Sequence, residues 1–130
     1  MNVNYKKEIS NEDIEKVVKD LTGLLQKEGF GILTRIDFHS KIKEKLAKEI
    51  PPTIILGACN PQLAYEIFTR NADITALMPC NAVVRSLGQN RISVELARPI
   101  TMVDILGDPK IKGLADEADM KFKKILEEIH

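Results

Sequence analysis

The sequence predicts an α+β domain with a mainly antiparallel sheet and helices packed on one of its faces. Segments with strand-like and helix-like apolar spacing alternate along the chain without a linker between them. The last two strand segments are separated only by Gly88-Gln89-Asn90, a three-residue hairpin loop that makes them antiparallel neighbours. The first and last helical segments each carry one apolar stripe, and we expect both stripes to cover the same face of the sheet.

The composition fits a single domain over residues 1–130 and argues against several classes of protein. Lys+Arg and Asp+Glu both number 19, aromatic residues are 5% and tryptophan is absent, so neither a basic stripe nor the stacking side chains of a nucleic-acid binder are visible. No apolar run is long enough to span a bilayer, and the N-terminal segment lacks the apolar core of a signal peptide. We therefore expect a cytoplasmic protein without nucleic-acid or membrane partners, whose cysteines persist as thiols.

The first elements are an edge strand and a helix. Apolar and polar residues alternate from Val3 to Ile9, with lysines that suit the edge of a sheet. Ser10 and Asp13 have the spacing of a capping box, in which the Ser10 hydroxyl accepts from the first helical turn. The helix that follows has its stripe at Ile14, Val17, Val18, Leu21, Leu24 and Leu25. We expect Gly29 to end it in the left-handed conformation.

A second strand and a short helix follow. The strand runs from Phe30 to Ile36, and we expect one face to carry Phe30, Ile32, Thr34 and Ile36. Asp37 or Ser40 can cap the short helix, which carries Ile42 and Leu46. Pro51-Pro52 cannot continue a helix, so we expect the prolines to fix its end.

The middle of the chain predicts an inner strand and a third helix. Thr53 to Ala58 is apolar on both faces, as expected for a strand inside the sheet. Asn60-Pro61 is a helix start, because the Asn side chain accepts from the first turn and Pro loses no hydrogen bond there. The buried stripe of this helix should be Leu63, Ala64, Ile67 and Phe68. Ile74 to Met78 is either a short strand or a single turn.

A hairpin and a long helix complete the chain. The hairpin strands are Cys80 to Leu87 and Arg91 to Ala97. In the second strand Arg91, Ser93 and Glu95 point away from the apolar side chains, so we expect that face to be half solvated. Asp108-Pro109 begins the last helix, whose inner stripe is Ile111, Leu114, Ala115, Ala118, Phe122, Ile125 and Ile129.

Two cysteine–asparagine steps mark the candidate site. Cys59-Asn60 ends one predicted strand, and Cys80-Asn81 begins the next. Antiparallel neighbours place these ends at one edge of the sheet, which we name the cysteine rim. We therefore predict that Cys59 and Cys80 are neighbours in space, with Asn60 and Asn81 flanking one pocket. Gly57 lies near the same strand end, where a glycine permits a close backbone approach by the protein or a ligand.

Three segments carry a family resemblance: Glu28–Thr34, Ile55–Pro61 and Leu77–Val84. They resemble the signature blocks of domain-of-unknown-function family 302, and the resemblance covers essentially the whole chain. The two Cys-Asn steps, 21 positions apart, make it specific. The resemblance implies a TBP-like sheet with helices against one face, in a homodimer, but no established activity. A sheet whose second face is only partly polar also favours a homodimer.

Three functions remain open. The first is a small-ligand or metal-binding module at Cys59 and Cys80, for which a soft metal ion is the candidate cofactor, although the spacing is not that of a structural zinc site. The second is a thiol enzyme or redox protein using Cys59, because a helix start favours a thiolate. The third is an oligomerising module in which both cysteines are packed as small hydrophobic side chains.

His39 is a weaker candidate. As a general base it would pair with Asp37 or with a cysteine. If the second and third strands are antiparallel neighbours, however, their C-terminal ends lie at opposite edges of the sheet. We therefore expect His39 to be a surface histidine near a helix start, away from the cysteines.

Overall fold

The computed structural model describes residues 2–130 and contains one five-stranded sheet. Its strands are β1 (Asn4–Ser10), β2 (Gly31–Asp37), β3 (Thr53–Cys59), β4 (Cys80–Gly88) and β5 (Arg91–Ala97). Its α-helices are α1 (Ile14–Lys27), α2 (Phe38–Leu46), α3 (Pro61–Arg70), α4 (Thr101–Leu106) and α5 (Lys112–Glu128). The strand order is β1-β5-β4-β3-β2 with every neighbouring pair antiparallel, which confirms the predicted α+β class.

The main core lies between α1, α5 and one face of the sheet. The apolar stripes of both helices are buried against the side chains of β3, β4 and β5 that point to this face. The rings of Phe30 and Phe122 lie 4.8 Å apart at its centre. The prediction that the first and last helices share one face is therefore confirmed. Within residues 2–130 no helix has the length and apolar character needed to cross a membrane.

A second, smaller core covers the end of the sheet at the cysteine rim. It joins α3 and α4 to two 3₁₀ helices, Ala72–Leu77 and Pro109–Ile111. Its buried members are Ile67, Ile74, Met102 and Ile111. The connector predicted over Ile74 to Met78 thus forms a turn of 3₁₀ helix, while α4 has no counterpart in the prediction. Asp108 caps the second 3₁₀ helix rather than α5, which begins only at Lys112.

The two ends of α1 differ in how well they follow the prediction. The predicted capping box is wrong, because Ser10 belongs to β1 and the Asp13 side chain caps the helix by accepting from Glu15 N and Lys16 N. At the other end Gly29 has φ +87°, and its N–H donates to Gln26 O while Phe30 N–H donates to Leu25 O. This is the predicted left-handed end, in the form of a Schellman motif.

A β-bulge at Leu33 changes which side chains of β2 share a face. Ile32 pairs with Ala58, but Thr34 pairs with Gly57, so the strand holds one extra residue. The prediction that Ile32, Thr34 and Ile36 share a face is therefore wrong, since the bulge reverses the alternation after it. The reversal puts Arg35 on the helix-covered face, where it reaches Glu15 of α1.

Two predicted helix features are also wrong. The short helix α2 ends at Leu46 because Ala47 adopts the left-handed conformation, with φ +54°, several residues before Pro51-Pro52. In α3, Leu63 and Ile67 are buried as predicted, but Phe68 is 48% exposed. The spacing of Phe68 fits a stripe, but α3 packs through a narrower face, with Leu63 in the main core and Ile67 in the second core.

The predicted three-residue hairpin loop is a two-residue turn. Gly88 pairs with Arg91, and Gln89 and Asn90 form the turn between β4 and β5, both with positive φ. Positive φ at both central residues is the geometry of a type I′ turn. The extra residue of the prediction is absorbed as an irregularity between Ser86 and Gly88.

The prediction that one face of β5 is half solvated is wrong for the centre of the strand. Ser93 and Glu95 are both only 4% exposed. The Glu95 carboxylate lies 2.5 Å from the Arg85 guanidinium and accepts from Ser93 Oγ and from the Asn4 amide. The Glu95 carboxylate can be buried because these partners hydrogen-bond to it or pair with its charge. The pattern of polar residues along β5 alone does not reveal such partners.

Candidate functional site

The strand register brings the two cysteines together. Cys59 is the last residue of β3 and Cys80 is the first residue of β4. Cys80 lies directly opposite Ala58, the residue before Cys59. Both side chains are free thiols and partly buried. The prediction that Cys59 and Cys80 are spatial neighbours is therefore confirmed by the pairing of β3 with β4.

Both thiols line a small apolar cavity, which is open to solvent on one side. The cavity lies between the main core and the second core, under α3. Apart from the Asn60 amide and the two thiols, its lining side chains are aliphatic, aromatic or thioether groups. The full lining is Phe30, Ala58, Cys59, Asn60, Leu63, Ala64, Ile67, Ile74, Met78, Cys80, Met102 and Ala118.

The thiols of this cavity are held in the protonated form. Burial raises the pKa of Cys59 above its usual value. Burial, with a smaller contribution from the nearby Cys59, raises the pKa of Cys80 to about 11. Sequence reasoning expected the start of α3 to favour a Cys59 thiolate. Burial of the sulfur acts against that expectation, and the lining side chains include no cation.

Asn60 serves the fold through both ends of its side chain. Its Oδ1 accepts from Leu63 N at 3.2 Å, so it caps α3 as predicted. Its Nδ2 faces Glu28 O at 3.5 Å, next to the positive-φ Gly29. A Cβ at Gly29 would lie 3.0 Å from this nitrogen. Asn60 therefore ties the start of α3 to the end of α1 while forming part of the cavity wall.

Gly57 and Asn81 lie away from this cavity. They oppose each other in the β3–β4 ladder, on the face of the sheet turned away from α1 and α5. A Cβ at Gly57 would overlap Thr34 Oγ1 and lie 2.7 Å from Pro79 Cγ, so the close approach predicted there is made by the protein itself. Asn81 lines a neighbouring cavity, together with Arg98 and Thr101. The expectation that Asn60 and Asn81 flank one pocket is therefore wrong, although Cys80 and Met102 line both cavities.

His39 lies at the opposite edge of the sheet, as predicted, but it is half-buried and has a structural partner. Its Nδ1 accepts from Thr53 N at 3.0 Å, so it fixes the start of β3. We name this edge, where β2 ends and β3 begins, the histidine rim. An accepting Nδ1 leaves the imidazole proton on Nε2.

Sulfur is the donor element that could hold a metal at the cysteine rim. Among residues 2–130, no three His, Cys, Asp or Glu side chains cluster as a metal site would require. Met78 and Met102 nevertheless line the same cavity as the two cysteines. Sequence reasoning missed them as site residues, because their positions follow no ligand spacing; Met102 belongs to the unpredicted α4.

Comparison with known proteins gives a family and a fold. The family model described as "Domain of unknown function DUF302" matches residues 5–129. A crystal structure of an uncharacterized conserved DUF302 protein from Bacillus stearothermophilus is similar over 100% of both chains, with a TM-score of 0.90 and 24% sequence identity. No curated protein matches the chain.

Proposed function

This chain belongs to the DUF302 family, and we propose that it is a cytoplasmic binding module that holds a small ligand in the cysteine-rim cavity. One observation carries the proposal: a small cavity with an almost wholly apolar lining, open to solvent on one side, lies at the edge that the two Cys-Asn steps mark. Ligand sites are typically concave and apolar, with a few polar groups that orient the ligand. Here the polar groups are the Asn60 amide and the two thiols, and free thiols support a cytoplasmic location.

A binding role suits this cavity better than thiol catalysis. A nucleophilic cysteine needs a lowered pKa and a nearby base or cation, whereas the pKa of both Cys59 and Cys80 is raised by burial. His39, the internal histidine, is at the other rim and bonded to Thr53. The thiols therefore favour a role as soft, weakly polar contacts for a ligand.

A cavity-filling variant tests the proposal. Ala64 of α3 lines the cavity, so Ala64→Leu should occupy the space that a ligand needs. Benzene and indole serve as generic apolar probes, and amide chemical shifts by NMR report their binding. We expect saturable shifts in the parent, their loss in Ala64→Leu and their retention in Ala76→Leu, a matched change at an exposed position.

Two results would contradict this proposal. One is a parent protein without saturable shifts at the amides of cavity residues. The other is an Ala64→Leu variant that binds the probes as strongly as the parent while giving a folded spectrum.

We also propose that two copies of the chain associate through the face of the sheet turned away from α1 and α5. Ile36, Ile55 and Val83 form a row across this face, and Ile36 is 43% exposed. Val83→Glu should place a charge in the row and give a monomeric mass by light scattering at micromolar concentration. Leu46→Glu, an exposed change on α2, is the control and should keep the parent mass. A monomeric parent would remove the proposal.

A further inference from the structure

Sulfur is concentrated at one place in this molecule. The chain has two cysteines and four methionines. Both cysteines and two of the methionines, Met78 and Met102, line the cysteine-rim cavity. They come from four different elements: the end of β3, the start of β4, the residue after the first 3₁₀ helix, and α4. Only the fold brings these sulfurs to one cavity.

We propose that this cavity binds a soft monovalent metal ion, Cu(I) in the cell, through the sulfurs of Cys59, Cys80, Met78 and Met102. The inference rests on the proposed binding function and names the class of its ligand. Thiolate and thioether donors select Cu(I), whereas carboxylates and carbonyls suit harder ions. The lining offers the soft donors and no carboxylate or imidazole.

The charge of the cavity favours a monovalent ion. The side chains that line it, all within residues 2–130, carry no formal charge. An apolar wall penalises net charge, so the preferred complex is neutral. Cu(I) with one thiolate is neutral: the ion forms a bond to the sulfur of Cys59, the more exposed thiol, and the thiol proton leaves to solvent. Met78 and Met102 then add uncharged donors, and Cys80 binds as a neutral thiol or packs beside the ion.

A divalent ion fits less well. Zn(II) would need two thiolates for neutrality, and its structural sites use four Cys or His ligands. We therefore expect the cavity to prefer Cu(I), and its redox-inert analogue Ag(I), to Zn(II).

The test is a competition between the full chain and a chromophoric Cu(I) chelator without oxygen. We expect the parent to withdraw one Cu(I) per chain. Even the loss of an outer-shell partner typically weakens a metal site 10–100-fold. Met78 and Met102 are proposed as direct ligands, so the double change Met78→Leu and Met102→Leu should weaken binding at least about tenfold. Met120→Leu removes a methionine that is 71% exposed on α5, and it should bind as the parent does.

The Leu variants also separate this inference from the proposed function. Met-to-Leu changes conserve volume, so the double variant should still bind benzene. A parent protein that binds benzene but does not withdraw Cu(I) from the chelator overturns the metal inference alone. A parent protein that binds neither benzene nor Cu(I) overturns the proposed function as well. A double variant that competes as well as the parent, or Zn(II) bound as tightly as Cu(I), also overturns the inference.

A second measurement uses the parent protein alone, so it still tests the inference if the double variant does not fold. X-ray absorption at the copper edge of the loaded parent should show a shell of sulfur neighbours. Titration of Cu(I) should release about one proton per ion at neutral pH, as expected when one thiol is deprotonated. A shell with nitrogen or oxygen neighbours would overturn the inference.

Discussion

The two rims of the sheet use their polar side chains in opposite ways. At the histidine rim, Arg35 pairs with Glu15 at 2.5 Å and with Asp37 at 2.9 Å, and His39 accepts from Thr53 N. At the cysteine rim the thiols are uncharged and border open space. The charged residues of the histidine rim thus pair with one another, while the cysteine rim keeps an open apolar cavity. The cavity at the cysteine rim is therefore the better candidate site, because the charged groups at the histidine rim already have partners.

The largest expected effect is on thiol reactivity at the cysteine rim, where folding should protect Cys80. With a pKa of about 11, Cys80 is a thiolate at pH 7 in only about one molecule in 10⁴, compared with about 3% for a free cysteine. Alkylation of Cys80 should therefore be on the order of a hundredfold slower in the folded protein than in urea. Its rate should rise about tenfold per pH unit up to about pH 10. Mass spectrometry of alkylated peptides measures both cysteines. Fast labelling of Cys80 at neutral pH would contradict this prediction, and fast labelling of Cys59 would restore the thiol-enzyme alternative.

The same pKa makes stability fall in alkaline solution. The folded protein keeps the Cys80 proton to a higher pH than the unfolded chain, whose cysteine pKa is about 8.5. This contribution is fully present below about pH 8.5 and is lost as the pH rises towards 11, by roughly 3 kcal/mol at most. Urea unfolding of the parent and of Cys80→Ala across this range should show a weaker dependence in the variant.

Gly57→Ala tests how tightly the strands pack at the cysteine rim. The new methyl group would overlap Thr34 Oγ1 and lie 2.7 Å from Pro79 Cγ, so we expect a loss of about 1–3 kcal/mol in urea unfolding. Gly23→Ala is the control, because a Cβ there meets no atom within 4 Å in the described structure and α1 should gain up to about 1 kcal/mol. Equal stability of Gly57→Ala and the parent would contradict this prediction, because it would show that Thr34 and Pro79 can shift to admit the methyl group.

Asn60→Ala and Asp13→Ala remove a helix cap near each rim. Each residue accepts from the first turn of its helix, so each change should cost about 1 kcal/mol. Only Asn60 also borders the cavity, and its loss should speed alkylation of Cys59. Equal labelling of Cys59 in both variants would contradict a role for Asn60 in closing the cavity.

Glu15→Gln gives the smallest expected effect. The Arg35–Glu15 pair is exposed, so its loss should cost less than about 1 kcal/mol and should vanish in high salt. Arg35 lowers the pKa of Glu15, so the contribution is present above the unfolded pKa of about 4.3 and is lost as the pH falls through the lower folded value. A pH and salt series of urea unfolding checks this, and a loss that persists in high salt would contradict it.

The parts of the fold that follow from apolar spacing were predictable from the sequence. The stripes of α1 and α5 and the inner strand β3 were found because each buries a long regular pattern. The errors lie where a local choice depends on tertiary contacts. Asp13 and Ser10 are both good caps, and only the pairing of Ser10 with Arg91 in β5 decides between them. Glu95 was expected in water because its partner Arg85 lies on another strand.

The positions of the two cysteines in the candidate site were equally predictable. Cys59 and Cys80 lie at strand ends, so antiparallel pairing alone brings them together. Met102 reaches the same cavity through α4, a helix of six residues with no side-chain cap and too short to show a period. Gly57 and Asn81 were assigned to the site by sequence proximity, but strand alternation turns them to the other face.

The bulge at Leu33 also bears on how the sheet ends. β2 is an outer strand, and a regular outer strand offers a row of backbone groups to which a second chain can add and begin a fibril. The extra residue, Leu33, breaks that row because it interrupts the regular alternation of the strand. The other outer strand, β1, carries the charges of Lys6, Lys7 and Glu8. Each outer strand thus has its own barrier to aggregation: an irregular backbone in β2 and charged side chains in β1.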